Sequence, residues 1–155
     1  MTEVSIRTLS EQPTLVVLGK IAVEDMPRFF SKAYHAVAAR AAEIGAEIAG
    51  LPFGRYRPLD CESHEFEVEA GFPVAGMLSG AGEVEVSVLP AGPAAVAWHI
   101  GPYESMVVTY DAVTSFLNEQ HAEPMGPPWE VYHSDPSDEP DPAKWRTEIV
   151  QPFAA

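Results

Sequence analysis

Two hydrophobic periods divide the chain. Apolar residues alternate with polar ones at Val4 and Ile6 until Thr8 breaks the pattern, and the turn signal Ser10-Glu11-Gln12-Pro13 leads into the apolar run Thr14 to Gly19. Alternation interrupted by turn residues predicts a hairpin of two strands. The spacing then changes to three and four. Met26, Phe30, Ala33, Val37, Ala41, Ile44 and Ile48 form one stripe, which predicts a helix running to about Ala49 with its apolar side on a sheet. Asp25 is placed to cap it by accepting from the Arg28 N–H, Pro27 sits in the first turn where its missing donor costs little, and Gly50 and Pro52 end it. Alternation returns in Phe53 to Leu59 and Glu65 to Val74, the second reading as a half-buried strand whose acids face outward.

After the Gly-rich connector at 77–82, the same plan recurs. Val84 to Leu89 and Ala94 to Ile100 flank Pro90-Ala91-Gly92-Pro93, predicting another hairpin; Gly101 and Pro102 then open a helix with the stripe Met106, Tyr110, Val113 and Leu117. Trp129 to Ser134 and Trp145 to Val150 close the chain as strands, joined by a loop too acidic and Pro-rich to be a core element. The halves superpose in sequence at an informative place: Gly50-Leu51-Pro52-Phe53-Gly54-Arg55-Tyr56 falls on Gly126-Pro127-Pro128-Trp129-Glu130-Val131-Tyr132, and Leu18-Gly19 on Ile100-Gly101. The expectation is an α+β domain over 1–155 made of tandem ββαββ repeats, 3–76 and 83–153, each too small to bury its apolar face alone.

Composition narrows the function classes. Nine Lys and Arg against 23 Asp and Glu give a formal charge of −14, a field that repels nucleic acid and attracts cations. No apolar run approaches the ~20 residues that span a bilayer, and the first residues lack a basic segment followed by an apolar one, so neither membrane insertion nor export is expected and the location implied is the cytoplasm. The single cysteine, Cys61, excludes an intrachain disulfide and has no activating pattern around it. Cys61, Glu62, His64, His133 and Asp135 include metal-ligand types but lack paired ligand spacing, so neither a metal nor a cofactor is expected. There is no phosphate-binding Gly-rich loop and no serine-nucleophile elbow.

One stretch carries chemistry. In Trp129-Glu130-Val131-Tyr132-His133 a carboxylate stands among large aromatics, and strand alternation puts Glu130 and Tyr132 on one face, Trp129, Val131 and His133 on the other. A carboxylate between ring faces is what a pocket for an apolar cation needs. Most strand carboxylates are solvated or ion-paired, and most strand tyrosines pack with a wet hydroxyl, so the pattern alone leaves both roles open. His99 lacks an identified orienting carboxylate and reads as a hydrogen-bonded structural residue.

Ile100-Gly101-Pro102-Tyr103 before a helix, followed by Gly126-Pro127-Pro128-Trp129-Glu130-Val131-Tyr132 and Asp135-Pro136, resembles the signature of the GyrI-like small-molecule-binding family, the fold of the effector-binding domains of BmrR-type multidrug regulators. The resemblance covers nearly the whole chain. It implies an eight-stranded antiparallel sheet with two helices on one face and a ligand cleft on the other, between the repeats, and its binding Glu matches Glu130. Under the pseudo-twofold, Tyr56 and Tyr132 become mates and Gly54 stands opposite Glu130, giving a site with two phenols and one carboxylate. Trp129, Phe53, Trp98 and Tyr103 are further candidates to border it. The function implied is binding or sequestration of lipophilic, cationic aromatic compounds. The same residues serve an alternative, hydrolysis of cyclopropane-bearing or other strained toxins, with Glu130 activating water and Tyr132 or Tyr56 steadying a developing oxyanion. A third is an acidic module that docks a protein partner in the manner of a gyrase inhibitor. Regulators of this family carry a DNA-binding helical domain that this chain has no room for, so direct transcriptional control is not implied.

Overall fold

The computed structural model describes residues 3–58, 65–76, 82–102, 105–133 and 139–154. Along the chain run β1 (Val4–Leu9), β2 (Gln12–Ala22), α1 (Met26–Ile44), β3 (Glu47–Ile48), β4 (Phe53–Pro58), β5 (Glu65–Ala75), β6 (Val84–Leu89), β7 (Gly92–Ile100), α2 (Met106–Glu119), β8 (Glu123–Pro124), β9 (Trp129–Tyr132) and β10 (Arg146–Ala154). The protein is α+β with antiparallel strand pairing and two helices. Ten strands rather than eight are present among the described residues, because the segments leaving each helix add the two-residue strands β3 and β8.

The residues group into two compact units, Glu11–Leu89 and Met1–Ser10 with Pro90–Ala155. In the 11–89 unit the sheet order is β4-β5-β2-β6, with β3 on β5. Helix α1 lays Ala33, Val37 and Ala41 on Leu15 and Val17 of β2, Ala70 and Val74 of β5 and Val84 of β6. In the other unit the order is β1-β7-β10-β9, with β8 on β10, and α2 lays Met106, Val113 and Leu117 on Ala95, Ala97, Ile149 and Phe153. Each fully buried Val, Leu, Ile, Phe or Met side chain contributes about 1.5–3 kcal/mol, so these two cores dominate what holds each unit together. No helix among the described residues is long and apolar enough to cross a membrane.

Neither expected hairpin forms. β1 pairs with β7, Val4 opposite Ala97 through Leu9 opposite Gly92, while β6 pairs with β2, Gln12 opposite Leu89 through Val17 opposite Val84. The connections explain the exchange. A two-residue hairpin loop needs positive φ, supplied by Gly or Asn, whereas Ser10-Glu11 and Pro90-Ala91 contain neither and have no positive φ.

Helix α1 also stops earlier than its stripe implied. Gly45 adopts φ 71°, and its N–H reaches the Ala41 and Ala42 carbonyls, closing the helix before Ile48, which lies 44% exposed on β3. Asp25 makes no side-chain cap bond: a 3₁₀ turn at Val23–Asp25 leads into α1 and leaves Asp25 helical, at φ −96° and ψ −4°, rather than extended as a capping residue is. Glu69 on β5 does not face solvent. Its carboxylate takes both arms of Arg55, at 2.7 to 3.0 Å, with both side chains largely buried.

Candidate functional site

The 90–155 part of the chain brings a carboxylate, two phenols and an imidazole to one side of its sheet. Two cross-strand rows set them: Glu130 of β9 stands opposite Ile149 of β10, which stands opposite Ala97 of β7; Tyr132 stands opposite Thr147, which stands opposite His99. Ile149 and Ala97 belong to the core under α2. Side chains in a cross-strand row share a face, so Glu130, Tyr132 and His99 point toward α2. Glu130 thus lies on the face of its sheet that α2 covers. Alternation along β9 keeps Glu130 and Tyr132 together as expected, and the Tyr132 hydroxyl donates to Glu130 Oε1 at 3.0 Å.

The second donor comes from the helix. Tyr110, on the apolar stripe of α2, donates its hydroxyl to Glu130 Oε2. Each carboxylate oxygen thus accepts a phenol, and Glu130 is 8% exposed. Burial pushes its carboxyl above the ordinary carboxylate range, against the hydrogen bonds of Tyr110 and Tyr132, which favour the ionised form. Among the described residues no Lys, Arg or His forms an ion pair with it. Other largely buried strand acids differ: Glu148 pairs with Arg7 at 2.9 Å and Glu69 with Arg55 at 2.7 Å. Among the described residues this buried acid is served by neutral donors alone, a setting that favours a positively charged partner and can hold or release a proton.

Tyr110 was missed as a site residue. The helical period placed it in the stripe with Met106, Val113 and Leu117, and packing was its expected role. A signal was present: a phenol on a core-facing stripe must find a partner for its hydroxyl.

The other candidates divide by place. Trp129 is buried, 4% exposed, on the opposite face of β9. Trp98 also points away from α2, where its ring lies 4.5 Å from the His133 ring and 5.1 Å from the Arg146 guanidinium. Tyr103 lies outside the described residues, as do Cys61, Glu62, His64 and Asp135. Phe53, Gly54 and Tyr56 belong to the 11–89 unit. Phe53 is buried there and its carbonyl accepts the Tyr34 hydroxyl at 3.1 Å, Gly54 stands opposite Ala70, and Tyr56 packs edge-on against Phe30 and Phe66. His99 is the hydrogen-bonded residue expected, buried and held at both ring nitrogens.

With this geometry established, comparison with known proteins adds a family. Residues 2–154 match the family model for the GyrI-like small molecule binding domain. No curated protein matches the chain. Similar solved structures include the C-terminal domain of EcmrR, at 17% identity over 99% of this chain and 98% of that one, with a TM-score of 0.82. A hydrolase encoded by lin2189 from Listeria innocua is 14% identical over 98% of this chain and 92% of its own, with a TM-score of 0.73. SAV2435, solved bound to tetraphenylphosphonium, is 13% identical over 99% and 94%, with a TM-score of 0.67. At these identities the likeness is one of fold. This chain spans 57% of the EcmrR chain in its DNA complex.

Proposed function

The chain belongs to the GyrI-like small-molecule-binding family, and on that premise we propose that it binds lipophilic organic cations at Glu130. The observation that carries this reading is the missing cationic partner: where Glu69 and Glu148 have arginines, Glu130 is as deeply buried and, among the described residues, is met by the hydroxyls of Tyr110 and Tyr132 alone. A ligand that brings the missing positive charge offsets the cost of ionising a buried acid. The phenols also select the kind of cation. Both direct their O–H at the carboxylate and set aromatic rings beside it, so the surroundings of the acid are richer in ring surface than in hydrogen-bond acceptors. Quaternary ammonium, phosphonium and delocalised dye cations, which need few acceptors, suit such walls; a primary ammonium, with three N–H donors to satisfy, does not. SAV2435, of the same fold, was solved with one such cation. A formal charge of −14 raises the local cation concentration and opposes a direct role with nucleic acid.

The test is a fluorescence titration of tetraphenylphosphonium and a rhodamine- or ethidium-like dye against a neutral aromatic of similar size. The cations are expected to bind in the micromolar range, on the order of −8 kcal/mol, and the neutral compound markedly more weakly. Equal affinities would sink the reading, and the absence of any binding would favour a protein partner.

A second reading is favoured by the raised carboxyl beside two phenols: hydrolysis of a strained electrophile, with Glu130 taking a proton from an attacking water and a tyrosine hydroxyl donating to the oxygen that gains charge. The Listeria innocua protein of this fold is described as a hydrolase. Incubation with a cyclopropane-bearing alkylator separates the two. Turnover gives a ring-opened product that has gained one water by mass spectrometry; stoichiometric protection without that product leaves binding alone.

A further inference from the structure

One buried imidazole ties β7 to the first turns of α2. His99 is 6% exposed. Its Nε2 lies 2.9 Å from the Pro102 carbonyl oxygen and 3.2 Å from Ser105 Oγ, and its Nδ1 lies 2.8 Å from Thr109 Oγ1. A carbonyl only accepts, so Nε2 carries the hydrogen, and in the singly protonated ring Nδ1 accepts from the Thr109 hydroxyl. The Ser105 hydroxyl donates to the same Pro102 carbonyl at 2.8 Å. The two nitrogens therefore serve different parts of the chain: Nε2 closes the turn before α2, and Nδ1 holds the helix itself.

The helix residue held is Thr109, 2% exposed and directly before Tyr110. Successive helical residues point about 100° apart, so pinning Thr109 to β7 fixes the rotation of α2 about its axis and with it the direction of Tyr110. The leverage is large. A tyrosine hydroxyl reaches beyond the ~6 Å side-chain radius of a helix, so a rotation of about 15° moves it by about 1.5 Å, enough to break a hydrogen bond. At its other end His99 is in register with Tyr132 through Thr147. The imidazole thus fixes the helix that carries one Glu130 donor to the strand row that carries the other.

We propose that His99, acting through Thr109, is a positioning residue for the Glu130 site: it holds the Tyr110 hydroxyl on the carboxylate and so sets the preference for a cation over a neutral ligand. This rests on the cation-binding reading above.

The two nitrogens make the proposal separable from a general loss of structure. In His99→Asn the amide oxygen takes the place of Nδ1 and still accepts from Thr109, but the side chain no longer reaches Pro102. In His99→Gln the amide nitrogen takes the place of Nε2 and still donates to Pro102, while the Thr109 bond is lost. Thr109→Val removes the same bond from the other side with almost no change in shape. The readout is the ratio of dissociation constants for a neutral aromatic and for tetraphenylphosphonium, with a melting curve for every variant. Thr109→Val and His99→Gln are expected to lower the ratio by about tenfold, the scale of one hydrogen bond at a charged group. His99→Asn is expected to keep the ratio within about threefold although it gives up two contacts. If Thr109→Val fails to fold, His99→Asn against His99→Gln decides. A ratio unchanged in Thr109→Val, or lowered alike in both His99 variants in step with their melting temperatures, overturns the positioning role while leaving cation binding intact. A wild-type ratio near one overturns the cation reading and this proposal together.

Discussion

Glu130→Gln is the sharpest perturbation because it removes a charge and almost nothing else. The amide keeps the shape of the side chain and one oxygen for a phenol, and its nitrogen can donate to the other phenol. A cation about 4 Å from a unit charge gains about 4 kcal/mol at the effective dielectric of ~20 that describes protein sites. Part of that gain is lost again, because burial holds the carboxyl above its ordinary range and the proton must leave before the charge exists. A net of about 2 kcal/mol corresponds to roughly a 30-fold loss of tetraphenylphosphonium affinity on substitution. A neutral analogue makes the same ring contacts and should shift by less than about threefold. The pH dependence follows with a definite sign: wild-type affinity for the cation rises with pH, by up to about tenfold per unit, until Glu130 is ionised, whereas the variant stays flat. Calorimetry in buffers of different ionisation enthalpy checks the same step, since cation binding below that plateau releases a proton in the wild type and none in the variant. Equal losses for charged and neutral ligands would refute recognition by charge. A flat wild-type pH profile would refute the raised carboxyl.

Two other predictions concern stability. A carboxyl whose folded pKa is raised keeps its proton where the unfolded chain has already released it, so its contribution is intact below the ordinary carboxylate range and is lost as pH rises through the folded value. Glu130→Gln should therefore melt at about the wild-type temperature near pH 4 and above it at pH 8; a difference independent of pH would remove burial of the acid as its cause. Gly71→Ala tests the close approach of strands, since an added Cβ would meet the Leu15 carbonyl oxygen at 2.0 Å and Val16 Cα at 2.9 Å. Backbone atoms cannot move aside as a side chain can, so a loss of about 3 kcal/mol, or roughly 6–12 °C in melting temperature, is expected, and a shift under ~2 °C would contradict the packing.

Local periods carried much of the architecture. The stripe through Ala33, Val37 and Ala41 is the buried side of α1, and Met106, Val113 and Leu117 are that of α2. What failed concerned ends and partners. Ile48 extended the helical spacing past the true terminus, because periodicity does not register the left-handed conformation that Gly45 adopts within it. The hairpins failed because period two marks a strand without naming its neighbour: β1 pairs with β7 and β6 with β2.

The acids show the same limit at the site. Glu69, Glu130 and Glu148 all read as strand carboxylates, and what separates them is a partner that the local pattern does not contain. The arginine for Glu69 is 14 residues away and that for Glu148 is 141 residues away. Alternation correctly joined Glu130 to Tyr132, two positions apart, because that pairing needs only the pleat. It could not say which face of the sheet they share, and that depends on where α2 packs. The helix decides it by supplying Tyr110, 20 residues before Glu130, so the feature that distinguishes this acid from the other two is tertiary: two phenols in place of a guanidinium. Where Glu69 and Glu148 each have an arginine, Glu130 is a buried acid with no cationic partner among the described residues, a cost that packing alone does not explain and that the proposed cationic ligand would remove.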